Sequence, residues 1–190
     1  MTWSPIRSLL AVLLIAASML GTVLVLAANT NIPAPIDKEL LQPRLAGNGN
    51  FRYFGLNIYD AQLWVGTGGY LVTAPRMERF ALDLRYARAL VGKKIAASSI
   101  EEIQKLGLGT PAQRMDWQAR MEKIFPDVQE GTHITGIYLP NQGARFYRDG
   151  KPLGEIMDPE FGYAFFAIWL DPRTSASALR DALLTDAAPR

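Results

Sequence analysis

Arg52 stands in an aromatic setting, FRYF, where nothing local demands a cation. A guanidinium is a planar fork that meets a carboxylate with two hydrogen bonds, so an arginine turned into an apolar interior needs an anion and would clamp an acid head group. Tyr53 and Tyr59 are near enough in sequence to add hydroxyl donors. The competing reading is that Arg52 pairs with a protein carboxylate or lies on a wet face. Little else offers chemistry. There is no GxSxG, HExxH or GxxxxGK[ST], and GNGNFR at Gly47–Arg52 lacks the following helix that a dinucleotide fingerprint needs. With no cysteine, disulfides, thiolate nucleophiles and Fe–S clusters are excluded, and one histidine, His133, cannot make a histidine-rich metal centre. No cofactor and no catalytic set is expected. His133 reads as a solvated or hydrogen-bonded sheet residue, Asp158, Asp171 and Ser175 as caps and turn formers, and Glu101 and Glu102 as a solvated helix face.

Strands and helices must position these groups. In Phe51–Val65, Phe54, Leu56 and Ile58 alternate before Tyr59, Ala61, Leu63 and Val65 take over, a phase change that predicts a bulge near Asn57–Tyr59 or two consecutive strands. Phe80, Leu82, Leu84 and Tyr86 alternate as in a half-buried strand. Ser98 and Glu101 have capping-box spacing, which predicts a short helix from about Ser99 to Leu106, ended by Gly107. Thr110-Pro111 caps a second helix carrying Trp117, Met121, Ile124 and Phe125 on one side. From Thr132 to Met157 the period returns to two, broken at PNQG and at Asp149-Gly150, so three antiparallel strands follow. Asp158-Pro159-Glu160 caps FGYAFFAIWL, apolar on every side and therefore a buried helix, and Ser175 opens a last helix through Leu184. The aromatics of that buried helix line a ligand cavity or, as base rates favour, pack the core. The pattern predicts an α+β domain, an antiparallel sheet covered on one face by helices.

The chain has 190 residues, 49% hydrophobic and 20% charged, enough for one packed domain. Twenty basic against 18 acidic residues argues against nucleic acid as a partner. Arg7 precedes an uncharged run from Leu9 to Ala28 that ends in small residues, the layout of an export signal, and the run is also long enough to cross a bilayer. Residues 1–28 are thus expected to be a signal peptide or membrane anchor, with membrane association through residues 9–28. Residues 29–40, with two prolines and no periodicity, are expected to be an extended linker. The domain is expected over 41–186, in the periplasm or cell envelope.

Three segments, LAGNGNFRYFGLNIYDAQLWVG, FALDLRYARALVGKKIAASSIEEIQKLG and FGYAFFAIWLDPRTSASALRDALL, resemble the chalcone-isomerase-like family, in particular its bacterial exported branch. The resemblance spans roughly Leu41 to Leu184. It implies an open-faced β-sandwich with a ligand cleft between sheet and helices. Arg52 looks like the family's strand arginine, and Tyr59 like the tyrosine that, with it, holds a fatty-acid carboxylate in the non-catalytic branch. The positions of the plant enzymes' helix tyrosine and asparagine fall near Ile95 and Glu102, so the donors that polarise a chalcone ketone are replaced and chalcone isomerase activity is not implied. The expected function is non-catalytic binding of a fatty acid or similar amphipathic acid through Arg52, Tyr59 and Tyr53. The alternatives are an isomerase or lyase using the same cleft and a ligand-free scaffold with a filled core. A one-residue change of register would turn Arg52 to the other face of the sheet.

Overall fold

The computed structural model describes residues 32–190, so the expected export segment lies outside the described residues. Six strands, β1 (Arg44–Tyr53), β2 (Leu56–Val65), β3 (Phe80–Tyr86), β4 (His133–Leu139), β5 (Gly143–Arg148) and β6 (Lys151–Ile156), form one sheet in chain order. Every neighbouring pair is antiparallel. Five helices accompany it: α1 (Ala34–Glu39), α2 (Gly92–Lys105), α3 (Pro111–Ile124), α4 (Pro159–Leu170) and α5 (Ser177–Leu183). Among the described residues no helix is long and apolar enough to cross a membrane.

Alternation puts Ala61, Leu63 and Val65 of β2, and Phe80, Leu82, Leu84 and Tyr86 of β3, on one face of the sheet, buried against the aromatic helix α4 and its neighbours. At the centre Phe146, Phe161, Phe165 and Phe166 pack edge to face or stacked, with ring centroids 5.2–6.4 Å apart. This is the α+β arrangement that the sequence pattern predicts, an antiparallel sheet with its main helical layer, α2 to α5, on one face. Asp158 caps α4 by accepting from the backbone N–H of Glu160 and Phe161, and Thr110 forms a reciprocal capping box with Gln113.

Three elements depart from expectation. The segment expected to be an extended linker carries α1: Pro35 sits in the first turn, where its missing N–H costs nothing, and Ile36 and Leu40, one turn apart, seal a second apolar cluster with Trp64, Ala81, Ile137 and Leu139 on the opposite face of the sheet. Glu39 fixes its end by accepting from Arg145 at 2.6 Å and from Tyr147 at 2.8 Å. Helix α2 starts at Gly92, seven residues before the expected start, because the Gly92 N–H is accepted by Asp127 Oδ1 at 2.9 Å, a tertiary cap in place of the local Ser98–Glu101 box. Strand β1 runs through LAGNGN, which carries no apolar alternation. A Cβ at Gly47 would lie 2.1 Å from the Ala182 carbonyl oxygen, so the bare backbone lets α5 descend onto the strand.

Candidate functional site

The β1–β2 hairpin sets the geometry of the expected site. Gly47, Gly49 and Phe51 alternate toward the helices, and the pairing runs Phe51 opposite Tyr59, then Arg52 opposite Asn57. Ile58 is left as the extra residue of a bulge, within the Asn57–Tyr59 stretch where the change of phase places one. Phe51 therefore takes the inward position and stacks on Tyr59 at 5.2 Å, while Arg52 is exposed and, among the described residues, donates only to the Gly55 carbonyl at 3.2 Å. Turning a guanidinium into this layer would strip its hydration where the nearby Glu102 carboxylate is already engaged by Lys105 and Ser175, whereas a phenyl ring gains from burial. Tyr53, one residue on, is also exposed, at 60%. The expected trio is thus split: Tyr59 faces the layer between sheet and helices, and Arg52 and Tyr53 lie outside it at the hairpin end.

Tyr59 is held by three aromatic neighbours. Besides the Phe51 stack, Tyr86 meets it edge-on at 6.0 Å, and the Trp169 indole N–H donates to its hydroxyl at 3.0 Å. Burial pushes its phenol well above the ordinary range, against the opposing effect of the Trp169 hydrogen bond. The hydroxyl is consequently a permanent O–H. It accepts from Trp169, and among the described residues nothing takes its own proton.

Glu102 belongs to the same corner, a contact that a reading of α2 as a plain solvated face misses. It accepts from Lys105 Nζ at 2.6 Å and from Ser175 Oγ at 2.6 Å, tying α2 to the segment before α5. Partial burial raises its pKa, but these two hydrogen bonds and the Lys105 charge outweigh that and hold it below the usual value. Ser175 precedes α5 as a tether rather than opening the helix, which begins at Ser177. Ile95 packs against the core.

The layer itself is full. Phe161, Phe165, Phe166 and Trp169 are all buried, and a cavity of about 30 Å³ lies beside Tyr70, Tyr138 and Phe166 at the end of the sheet away from Tyr59. That holds one water, whereas pockets for small molecules run to roughly 300 Å³ or more. Among the described residues no cluster of His, Asp and Glu could hold a metal ion. His133 Nδ1 sits 2.7 Å from Asp83, whose other oxygen accepts from Thr135 at 2.6 Å, so the histidine is hydrogen-bonded within the sheet.

The profile of a family described as chalcone isomerase-like matches residues 30–185. Among solved structures, the chain is similar to the crystal structure of an Arabidopsis thaliana fatty-acid binding protein, with a TM-score of 0.60 and 11% sequence identity over 77% of this chain and 88% of that one. A search of the curated proteins finds no match.

Proposed function

The chain belongs to the chalcone isomerase-like family, and from that premise we propose that it binds a fatty acid or similar small amphipathic acid between sheet and helices, without turning it over. The observation that carries this reading is Tyr59: a hydroxyl kept protonated in an aromatic layer, its lone pair engaged by Trp169 and its proton unspent, is built to donate to a carboxylate or carbonyl. The similar Arabidopsis thaliana structure, a fatty-acid binding protein, supports the ligand class. Arg52 and Tyr53 lie exposed at the hairpin end, where Arg52 would attract an acid rather than clamp it inside. An acid reaches Tyr59 when the hairpin end and the Glu102–Ser175 corner part, so binding selects an opened state of the packed layer. The uncharged Leu9–Ala28 run supports placing the domain in the cell envelope, exported or anchored.

Mass spectrometry of the full chain purified from membranes, native and after organic extraction, tests this reading. A stoichiometric acid that is lost in Tyr59→Phe and reduced in Arg52→Ala is the expected result. A bare chain that also ignores added fatty acids would sink it. The filled layer favours a second reading, a ligand-free interaction module, and that outcome would establish it.

A further inference from the structure

Phe54 is the residue that the fold itself explains least. It and Gly55 are the two central residues of the β1–β2 turn, at φ +46° and +79°. Turns with both central residues at positive φ call for Asn-Gly or Asp-Gly, and the β5–β6 turn obeys, with Asp149 at +48° and Gly150 at +80°. The β1–β2 turn instead holds a bulky aromatic in the left-handed region, a strained choice. The interior recovers nothing from it: Phe54 is 88% exposed and packs edge-on against Tyr53 with ring centroids 4.5 Å apart. Leu56, on the far side of the turn, is 54% exposed. Beside these apolar residues stands Arg52, whose guanidinium reaches only the Gly55 carbonyl and forms no ion pair among the described residues. Lys105, near Tyr53 at the end of α2, is matched by Glu102.

We propose that this hairpin tip is a membrane-contact knob, with Tyr53, Phe54 and Leu56 entering the boundary between headgroups and acyl chains of a bilayer and Arg52 meeting an anionic lipid headgroup. A convex two-residue turn with an unpaired cation beside three apolar side chains fits that boundary, where aromatic rings settle at headgroup depth and an anionic surface attracts arginine. It does not fit a protein partner, because a stable protein interface buries about 800 Å² on each side and one hairpin tip cannot supply it. The same sequence carries the uncharged Leu9–Ala28 run, long enough to bring the domain to a bilayer. Nothing in this inference depends on a ligand at Tyr59.

The test uses the full chain carrying Phe54→Trp, reconstituted in vesicles of phosphatidylcholine containing phosphatidylglycerol and brominated acyl chains. Met115→Trp, at a position 73% exposed on α3, is the comparison. The expected result is a blue shift and bromine quenching of the indole emission added at position 54, relative to the parent chain, with Met115→Trp unmoved. The quenching should weaken when phosphatidylglycerol is omitted or when Arg52→Gln is added. Both substituted sites are exposed, so the variants retain the fold, which circular dichroism verifies. Emission from position 54 that stays unquenched, or that matches position 115, overturns the proposal. So does a blue shift that appears without vesicles and grows with protein concentration, which would assign the tip to a second copy of the chain.

Discussion

The Trp169 indole N–H points at the Tyr59 hydroxyl from 3.0 Å away, joining the last turn of α4 to the inner face of β2. Trp169 is 5% exposed, so its donor has no ready access to water. In Tyr59→Phe the ring stacking on Phe51 survives but a buried N–H loses its acceptor, a loss of about 1–3 kcal/mol of stability. Trp169→Phe also breaks the bond, and it empties the indole's share of a buried site packed on Phe165 while leaving the Tyr59 hydroxyl without its partner, so the larger destabilisation is expected there. Urea denaturation of the two variants beside the parent reads the difference, and a Tyr59→Phe midpoint equal to the parent's would mean that the bond itself matters little.

The parts of this fold that the sequence reveals are those where local chemistry and tertiary environment agree. β3 shows its alternation because Phe80, Leu82, Leu84 and Tyr86 pack on the helical layer, although it is not the half-buried strand expected, since Ala81 and Asp83 on its other face are buried under α1 and beside His133 and Thr135. The Asp149-Gly150 turn shows because its φ angles suit those residue types. Asp158 and Thr110 likewise meet the backbone donors that their positions predict. What escapes is set by distant contacts. α1 looks like a linker until Ile36 and Leu40 find Trp64 and Ile137, and the start of α2 depends on Asp127, 35 residues away. The site is legible in type and hidden in orientation. Tyr59 is inward as its neighbours suggest, but whether Phe51 or Arg52 joins it depends on the bulge at Ile58, and one residue of phase reverses the answer.

Gly47 is predicted to be the least replaceable position in β1. In Gly47→Ala the new methyl would meet backbone rather than a movable side chain, 2.1 Å from the Ala182 oxygen and 2.5 Å from that of Leu183, so α5 must lift from the strand. A loss of about 3 kcal/mol is expected, at the upper end of ordinary overpacking. Gly131→Ala is the comparison: a Cβ there meets nothing within 4 Å, although φ is +83°, so only backbone strain of about 1 kcal/mol applies. Denaturation midpoints that fall equally in both would show that α5 is not seated on Gly47.

His133 gives the domain a predictable response to pH. The hydrogen bond to the Asp83 carboxylate raises its pKa, against burial, with Asp83 and Asp149 charges adding to the rise and Arg85 opposing it. Because the folded protein holds this proton more tightly than the unfolded chain, the stabilisation is complete below the unfolded value near 6.5 and fades as pH rises through the raised folded value. Thermal midpoints measured from about pH 5 to about pH 9 should therefore decline across that window in the parent and stay flat, as far as this group is concerned, in His133→Gln. A parent profile that rises over the same window would contradict the linkage.

Phe54→Asn should make the isolated protein more stable, an outcome opposite to that of most substitutions of an aromatic residue. Asparagine tolerates positive φ and, followed by Gly55, completes the preferred two-residue hairpin turn, while the phenyl ring it replaces is 88% exposed and gives the core nothing. Relief of the left-handed strain is worth about 1 kcal/mol, less whatever contact with Tyr53 is lost. The gain should appear as a higher urea midpoint with an unchanged slope, since the buried surface stays the same. If the midpoint falls instead, Phe54 serves the fold, and the argument that the ring is there for something outside it loses its footing. If it rises, a residue that weakens the domain while standing at its most exposed apolar tip has its explanation in what the tip touches.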